Sequence, residues 1–160
     1  MVTSYVSELT WQSALFTASP PSLLDGGAPA SRFAGVDHQL ADARSRLQRL
    51  SPRAAFQEVL WRRATLVDIR PAAQRATEGE PSDSLAAMTI ERNVLEWRLD
   101  PRSDARLPVA APDLRVIVLC QEGYASSLAA DSLVSLGVRN ATDVVGGFAA
   151  WRSLGLPVKD

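Results

Sequence analysis

The sequence predicts an α/β fold in three layers, a central parallel sheet with helices on both faces. Three observations predict it. Short, β-rich and nearly continuous apolar runs recur at residues 65–69, 116–119 and 142–145, as expected of strands buried on both faces. Segments with helical stripes and helix-capping residues alternate with them. The 160 residues, 46% hydrophobic, 6% aromatic and 22% charged, suffice for one core and predict one domain plus a tail.

In chain order, residues 1–35 carry Pro20-Pro21, Gly26-Gly27 and Pro29 with no sustained period, and read as a flexible lead-in. Apolar Trp11, Leu15 and Phe16 within it leave room for a protein partner through the N-terminal region. Over residues 36–50, Val36, Leu40, Ala43, Leu47 and Leu50 recur at four- and three-residue steps, which predicts an amphipathic helix. Arg44, Arg46 and Arg49 fall mostly off that stripe; they suit a basic partner-binding helix, but read more simply as its solvated face. Ser51-Pro52 supplies an N-cap and an N1 proline for a second helix, with Phe56, Val59 and Leu60 on one face and an end near Arg63.

The strand at 65–69 stops at Arg70-Pro71, and residues 88–90 form a candidate second strand. Residues 94–107 mix Trp97, arginines and Pro101, and predict loop with a turn or two of helix. The strongest strand, 116–119, runs directly into Cys120. A helix with Leu128, Ala129, Leu133 and Leu136 as its stripe follows, with Gly137 placed for a left-handed cap. After the strand at 142–145, Gly146-Gly147 makes a tight turn into a short closing helix whose Phe148 and Trp151 belong to the core.

Composition removes several classes of function. Seventeen basic and eighteen acidic residues give a net charge of -1, so no global field favours nucleic acid or anionic lipid. No apolar run is long enough to cross a bilayer, and no Lys or Arg precedes Arg32, so a basic signal-peptide start is missing and a cytoplasmic location is expected. One cysteine and one histidine, Cys120 and His38, exclude an intramolecular disulfide, thiolate zinc clusters and paired-histidine zinc sites. No metal site is expected.

The run Cys120-Gln121-Glu122-Gly123-Tyr124-Ala125-Ser126 turns from the carboxyl end of a central strand into a helix, the edge where α/β sheets bind ligands. Successive loop N–H groups and the helix N-terminus favour an anion there, including a thiolate, which is a competent nucleophile. Gly123 lets the loop curl around the sulfur. Location alone suits a small buried cysteine equally well. Tyr124 stands at the mouth, to meet a ligand or to cover the sulfur, and Trp97 suits either core or a partner surface.

Asp68-Ile69-Arg70 at one strand end, the Cys120 loop, and Gly146-Gly147-Phe148-Ala149-Ala150-Trp151 before Gly155-Leu156-Pro157-Val158 together resemble the rhodanese-like family, in the right order over residues 51–158. The resemblance implies a single rhodanese-like domain over residues 51–160. It implies that Cys120 takes up sulfane sulfur as a persulfide from a small anionic donor, of the thiosulfate or 3-mercaptopyruvate type, and passes it to a thiol or other acceptor. No cofactor is implied. Gln121, Glu122, Gly123, Tyr124 and Ala125 would complete the six-residue loop whose amides hold sulfur and substrate, and Asp68 and Arg70 would order its surroundings through an ion pair.

Two departures stand out. Many active members carry an arginine where this chain has Ala125, and Glu122 adds a negative charge, which weakens binding of a doubly negative donor. The family's Gly-x-Ile-Pro-Gly-Ala stretch is reduced to Gly79-Glu80-Pro81 with extra residues, and Arg92 and Arg98 nearby are candidates for the missing cation, weighed against plain surface charge. The competing readings are a rhodanese-like binding, regulatory or redox-sensing module, and a thiol phosphatase, which needs an oxyanion-clamping arginine where Ser126 stands.

Overall fold

The computed structural model describes residues 31–159. The expected lead-in therefore lies, up to residue 30, outside the described residues, as do Trp11, Leu15 and Phe16. Helix α1 spans Val36–Ser45 and α2 spans Pro52–Leu60, opened by Ser51, whose hydroxyl accepts from Ala54 N at 3.2 Å. Strand β1 (Thr65–Asp68) leads to α3 (Ala72–Glu78), and β2 (Glu80–Pro81) to β3 (Met88–Thr89). Then come α4 (Leu95–Leu99), β4 (Val116–Leu119), α5 (Ala125–Ser135), β5 (Thr142–Asp143), α6 (Gly147–Ser153) and β6 (Val158–Lys159).

The central sheet is parallel throughout, in the order β3-β1-β4-β5. Side chains alternate across it. Val67, Val116 and Val118 face Leu95 and Leu99 of α4 and Ala129, Ala130 and Leu133 of α5. Leu66, Ile117 and Leu119 face Ala55 and Val59 of α2 and Phe148 and Trp151 of α6. With period-two alternation and helices on either side, the central strand β4 has no solvent face, which is why Val116–Leu119 is apolar throughout. Helix α5 stops where Gly137 takes φ +94 and Val138 N returns to Leu133 O at 3.0 Å, the left-handed cap the sequence predicts.

The structure corrects several expectations. Helix α1 ends at Ser45; residues 46–49 form a bend, and Leu50 bridges to Val144 as a short continuation of the sheet edge. Val36 and Leu60 are exposed rather than on buried stripes, and α2 stops before Arg63. The strand expected at 142–145 shortens to two residues, and Val145 is exposed. Helix α3 and the antiparallel ribbon of β2 with β6 were not anticipated. Among the described residues, no helix is long and apolar enough to cross a membrane.

Candidate active site

Strands β1 and β4 lie side by side with Asp68 opposite Leu119, so their carboxyl ends deliver Arg70 and Cys120 to one sheet edge. The loop after Cys120 is tied down from α6: Phe148 N donates to Cys120 O at 2.8 Å and Ala149 N to Gln121 O at 2.9 Å. Its curl brings two backbone amides onto the sulfur, Gly123 N at 3.2 Å and Ser126 N at 3.3 Å. Gly123 holds φ +78, and a β-carbon there would sit 2.9 Å from both Gly146 N and Val144 O. The loop cannot close this way around any other residue.

Beneath the sulfur runs a buried polar chain. The thiol donates to Ser126 Oγ at 3.1 Å, and Ser126 Oγ donates to Asp143 Oδ2 at 3.0 Å. The fully buried Asp143 also accepts from Ser127 Oγ at 2.8 Å and from Arg49 at 2.7 Å (Nε) and 3.0 Å (Nη2). Arg49 Nη2 donates further to Gly123 O at 3.1 Å, where Arg44 Nη2 also donates at 2.9 Å. Arg44 Nε reaches Ser127 Oγ at 3.2 Å, and its guanidinium carbon lies 5.4 Å from the centre of the Tyr124 ring. These contacts overturn the reading of Arg44 and Arg49 as a solvated face; Arg46 too is engaged, with Asp131 and Asp42.

Cys120 lies at the floor of a cavity of about 780 Å³ lined by Gln121, Glu122, Tyr124 and Ala125 of the loop and by Arg70, Gln74, Glu78, Glu91 and Arg92 opposite. The thiol is only 7% exposed, whereas Tyr124 is 57% exposed at the rim. Arg70 is fully buried and two-pronged on Asp68, Nε to Oδ1 at 3.0 Å and Nη2 to Oδ2 at 2.7 Å. It donates also to Gly79 O at 2.9 Å and to Gln121 Oε1 at 3.3 Å, and its guanidinium carbon stacks 3.8 Å from the centre of the Phe148 ring. The pair thus braces the loop's second residue against both the sheet end and α6.

Of the two candidate cations, Arg92 borders the cavity and pairs with Glu96 at 2.8 Å. Arg98 lines a different groove and donates to Ala105 O at 2.9 Å, so it is not brought to the sulfur. Sequence reasoning missed Arg44, Arg49, Asp143 and the serine hydroxyls as parts of the site. The available signal was Asp143 itself: a carboxylate inside a strand read as buried on both faces requires a cation and donors around it.

A family model for the rhodanese-like domain matches residues 52–154. No curated protein sequence matches the chain. Among solved structures, a protein of unknown function and possible tyrosine phosphatase from Rhodopseudomonas palustris is 27% identical, with a TM-score of 0.72 over 83% of this chain and 100% of that one. The polysulfide-sulfur transferase homodimer of Wolinella succinogenes is 26% identical, with a TM-score of 0.63 over 76% of this chain and 85% of that one. A rhodanese-like domain from Anabaena shares the fold at 19% identity, with a TM-score of 0.56 over 69% and 77% of the two chains.

Proposed function

Because the chain belongs to the rhodanese-like domain family, we propose that it is a sulfurtransferase that carries sulfane sulfur as a persulfide on Cys120. The observation that carries this reading is the sulfur itself, held by the Gly123 and Ser126 amides at the floor of an open cavity. Two N–H donors aimed at one sulfur meet negative charge that develops there during transfer.

With a small anionic donor such as thiosulfate, the Cys120 thiolate attacks the outer sulfur. The donor's S–S bond breaks, sulfite leaves with the bonding pair, and a Cys120 persulfide remains. With 3-mercaptopyruvate, the carbon–sulfur bond breaks instead, and the leaving carbon takes the pair and then a proton. An acceptor thiolate next attacks the outer sulfur, the Cys120–sulfur bond of the persulfide breaks, and its pair returns to Cys120 as the thiolate. No cofactor is needed in either half. The loop amides hold the inner sulfur, Arg70 and Asp68 hold the loop through Gln121, and Arg92 faces the donor's charge from the rim. A cytoplasmic location, where thiols stay reduced, suits this chemistry.

A second reading is favoured by one observation: Glu78, Glu91 and Glu122 all border the cavity, and Ala125 offers no cation against them. That arrangement disfavours a doubly negative donor and suits a binding or redox-sensing module whose turnover is slow. Intact-protein mass after exposure to thiosulfate and, separately, 3-mercaptopyruvate tests the two. A gain of one sulfur atom, removed by cyanide and absent from Cys120→Ser, supports the sulfurtransferase. No gain with either donor in folded, reduced protein overturns it in favour of the module.

A further inference from the structure

The two guanidiniums beneath the Cys120 loop come from outside the matched family region. Arg44 lies near the end of α1 and Arg49 in the bend before α2, whereas the family model begins at residue 52. Both donate to the carbonyl of Gly123, whose N–H donates to the Cys120 sulfur. Gly123 is therefore held from both ends, at a residue whose own backbone, lacking a β-carbon, has least resistance to turning.

Charge gives the arrangement a second consequence. Asp143 is fully buried and one hydroxyl away from the sulfur through Ser126. Alone, its carboxylate would oppose a second negative charge on Cys120. Arg49 is two-pronged on that carboxylate, and Arg44 sits beside it on Ser127 and Gly123. Two guanidiniums against one carboxylate leave the floor of the loop with a surplus positive charge. This positive charge lies behind the sulfur, whereas the loop from Gln121 to Ser126 offers none in front of it.

We propose that Arg44 and Arg49 are positioning residues of the Cys120 site, fixing Gly123 so that its amide stays on the sulfur and setting positive charge against the buried Asp143 carboxylate, so that the sulfur is kept reactive without a loop arginine. The proposal rests on Cys120 being the reactive group of the site, and not on which sulfur donor it uses. It assigns residues 44–49, ahead of the matched family region, a share in the chemistry.

The test is the alkylation rate of Cys120 by iodoacetamide at neutral pH in the full chain, followed by intact mass; a single cysteine makes every adduct unambiguous. Arg49→Met, which frees Gly123 O from one donor and leaves the Asp143 carboxylate without its cation beneath the sulfur, is expected to slow alkylation about tenfold. Arg44→Met, which leaves Asp143 paired, is expected to slow it severalfold. Arg49→Lys keeps the charge and regains part of the rate. The double variant Arg49→Met with Asp143→Asn removes charge and counter-charge together, and regains more, a recovery that a purely structural role would not give. The proposal is overturned if Arg44→Met and Arg49→Met both react within twofold of the wild type. It is equally overturned if the double variant is as slow as Arg49→Met; should Arg49→Met not fold, Arg44→Met and Arg49→Lys decide. Wild type that alkylates readily yet takes up no sulfur overturns the sulfurtransferase and leaves this proposal standing.

Discussion

Asp68 and Arg70 are both fully buried, so neither charge can fall back on water if its partner is removed. Asp68→Ala would leave the guanidinium with Gly79 O, Gln121 and the half-buried Glu78, whose carboxylate lies 3.5 Å away. Breaking a buried pair from one side costs about 3–5 kcal/mol, a large part of the stability of a domain this size. A urea titration of Asp68→Ala is expected to show that loss, and a change under about 1 kcal/mol would contradict it. The Asp-x-Arg pair and the cysteine were legible in the sequence because their spacing and their place at strand ends are local. Arg44 and Arg49 were not, since an arginine off an apolar stripe looks the same whether it meets solvent or a loop far along the chain. Only Asp143, a charge in a buried strand, pointed to them.

At the scale of elements, the period of apolar residues reported whatever buries a face. It located β1, β4 and α5, along with the capped start of α2. It was silent on α3, which buries none of its residues, and on β2 and β6, too short to show any period. That ribbon is instead laced by charge. The Arg75 hydrogen bond, and then that of Lys159, hold the Glu80 carboxyl below its usual 4.5. Asp83, and then Glu80, hold the Lys159 ammonium above its usual 10.5. A depressed carboxyl contributes stability above 4.5 that is lost as pH falls through its folded value; a raised ammonium contributes below 10.5 and is lost as pH rises through its own. Thermal melting is therefore expected to fall on both flanks, and Lys159→Met to flatten the alkaline one. An unchanged alkaline limb in that variant would remove the ribbon as its cause. The groups are exposed, so high salt should weaken both effects.

Across the described residues, the stretch 36–50 is bound into the domain rather than appended to it. Leu40 and Ala43 are buried, Leu50 bridges to Val144, and Arg49 balances Asp143. A chain beginning at residue 51 forfeits about 1.5–3 kcal/mol for Leu40 alone. Each kcal/mol is worth about 2–4 °C in a domain of this length, so melting about 3–12 °C lower is expected, read by calorimetry. Melting at the full-length temperature would show the segment to be dispensable. The sequence placed residues 36–50 on one amphipathic helix, and the boundary with the remaining domain at residue 51 looked natural because Ser51-Pro52 is so clear a helix start. A clear helix start marks a change of local structure; it carries no information about which long-range contacts cross it.

The order in which these parts leave the ribosome also matters. Cys120 and its loop are synthesised before Asp143, and before the α6 amides that hold Cys120 O and Gln121 O. Arg44 and Arg49 are already made, Arg49 waiting for the carboxylate that pairs with it. A nascent or truncated chain ending after α5 thus carries the cysteine without the machinery that organises it, so the thiol gains its organised surroundings only once α6 has been made.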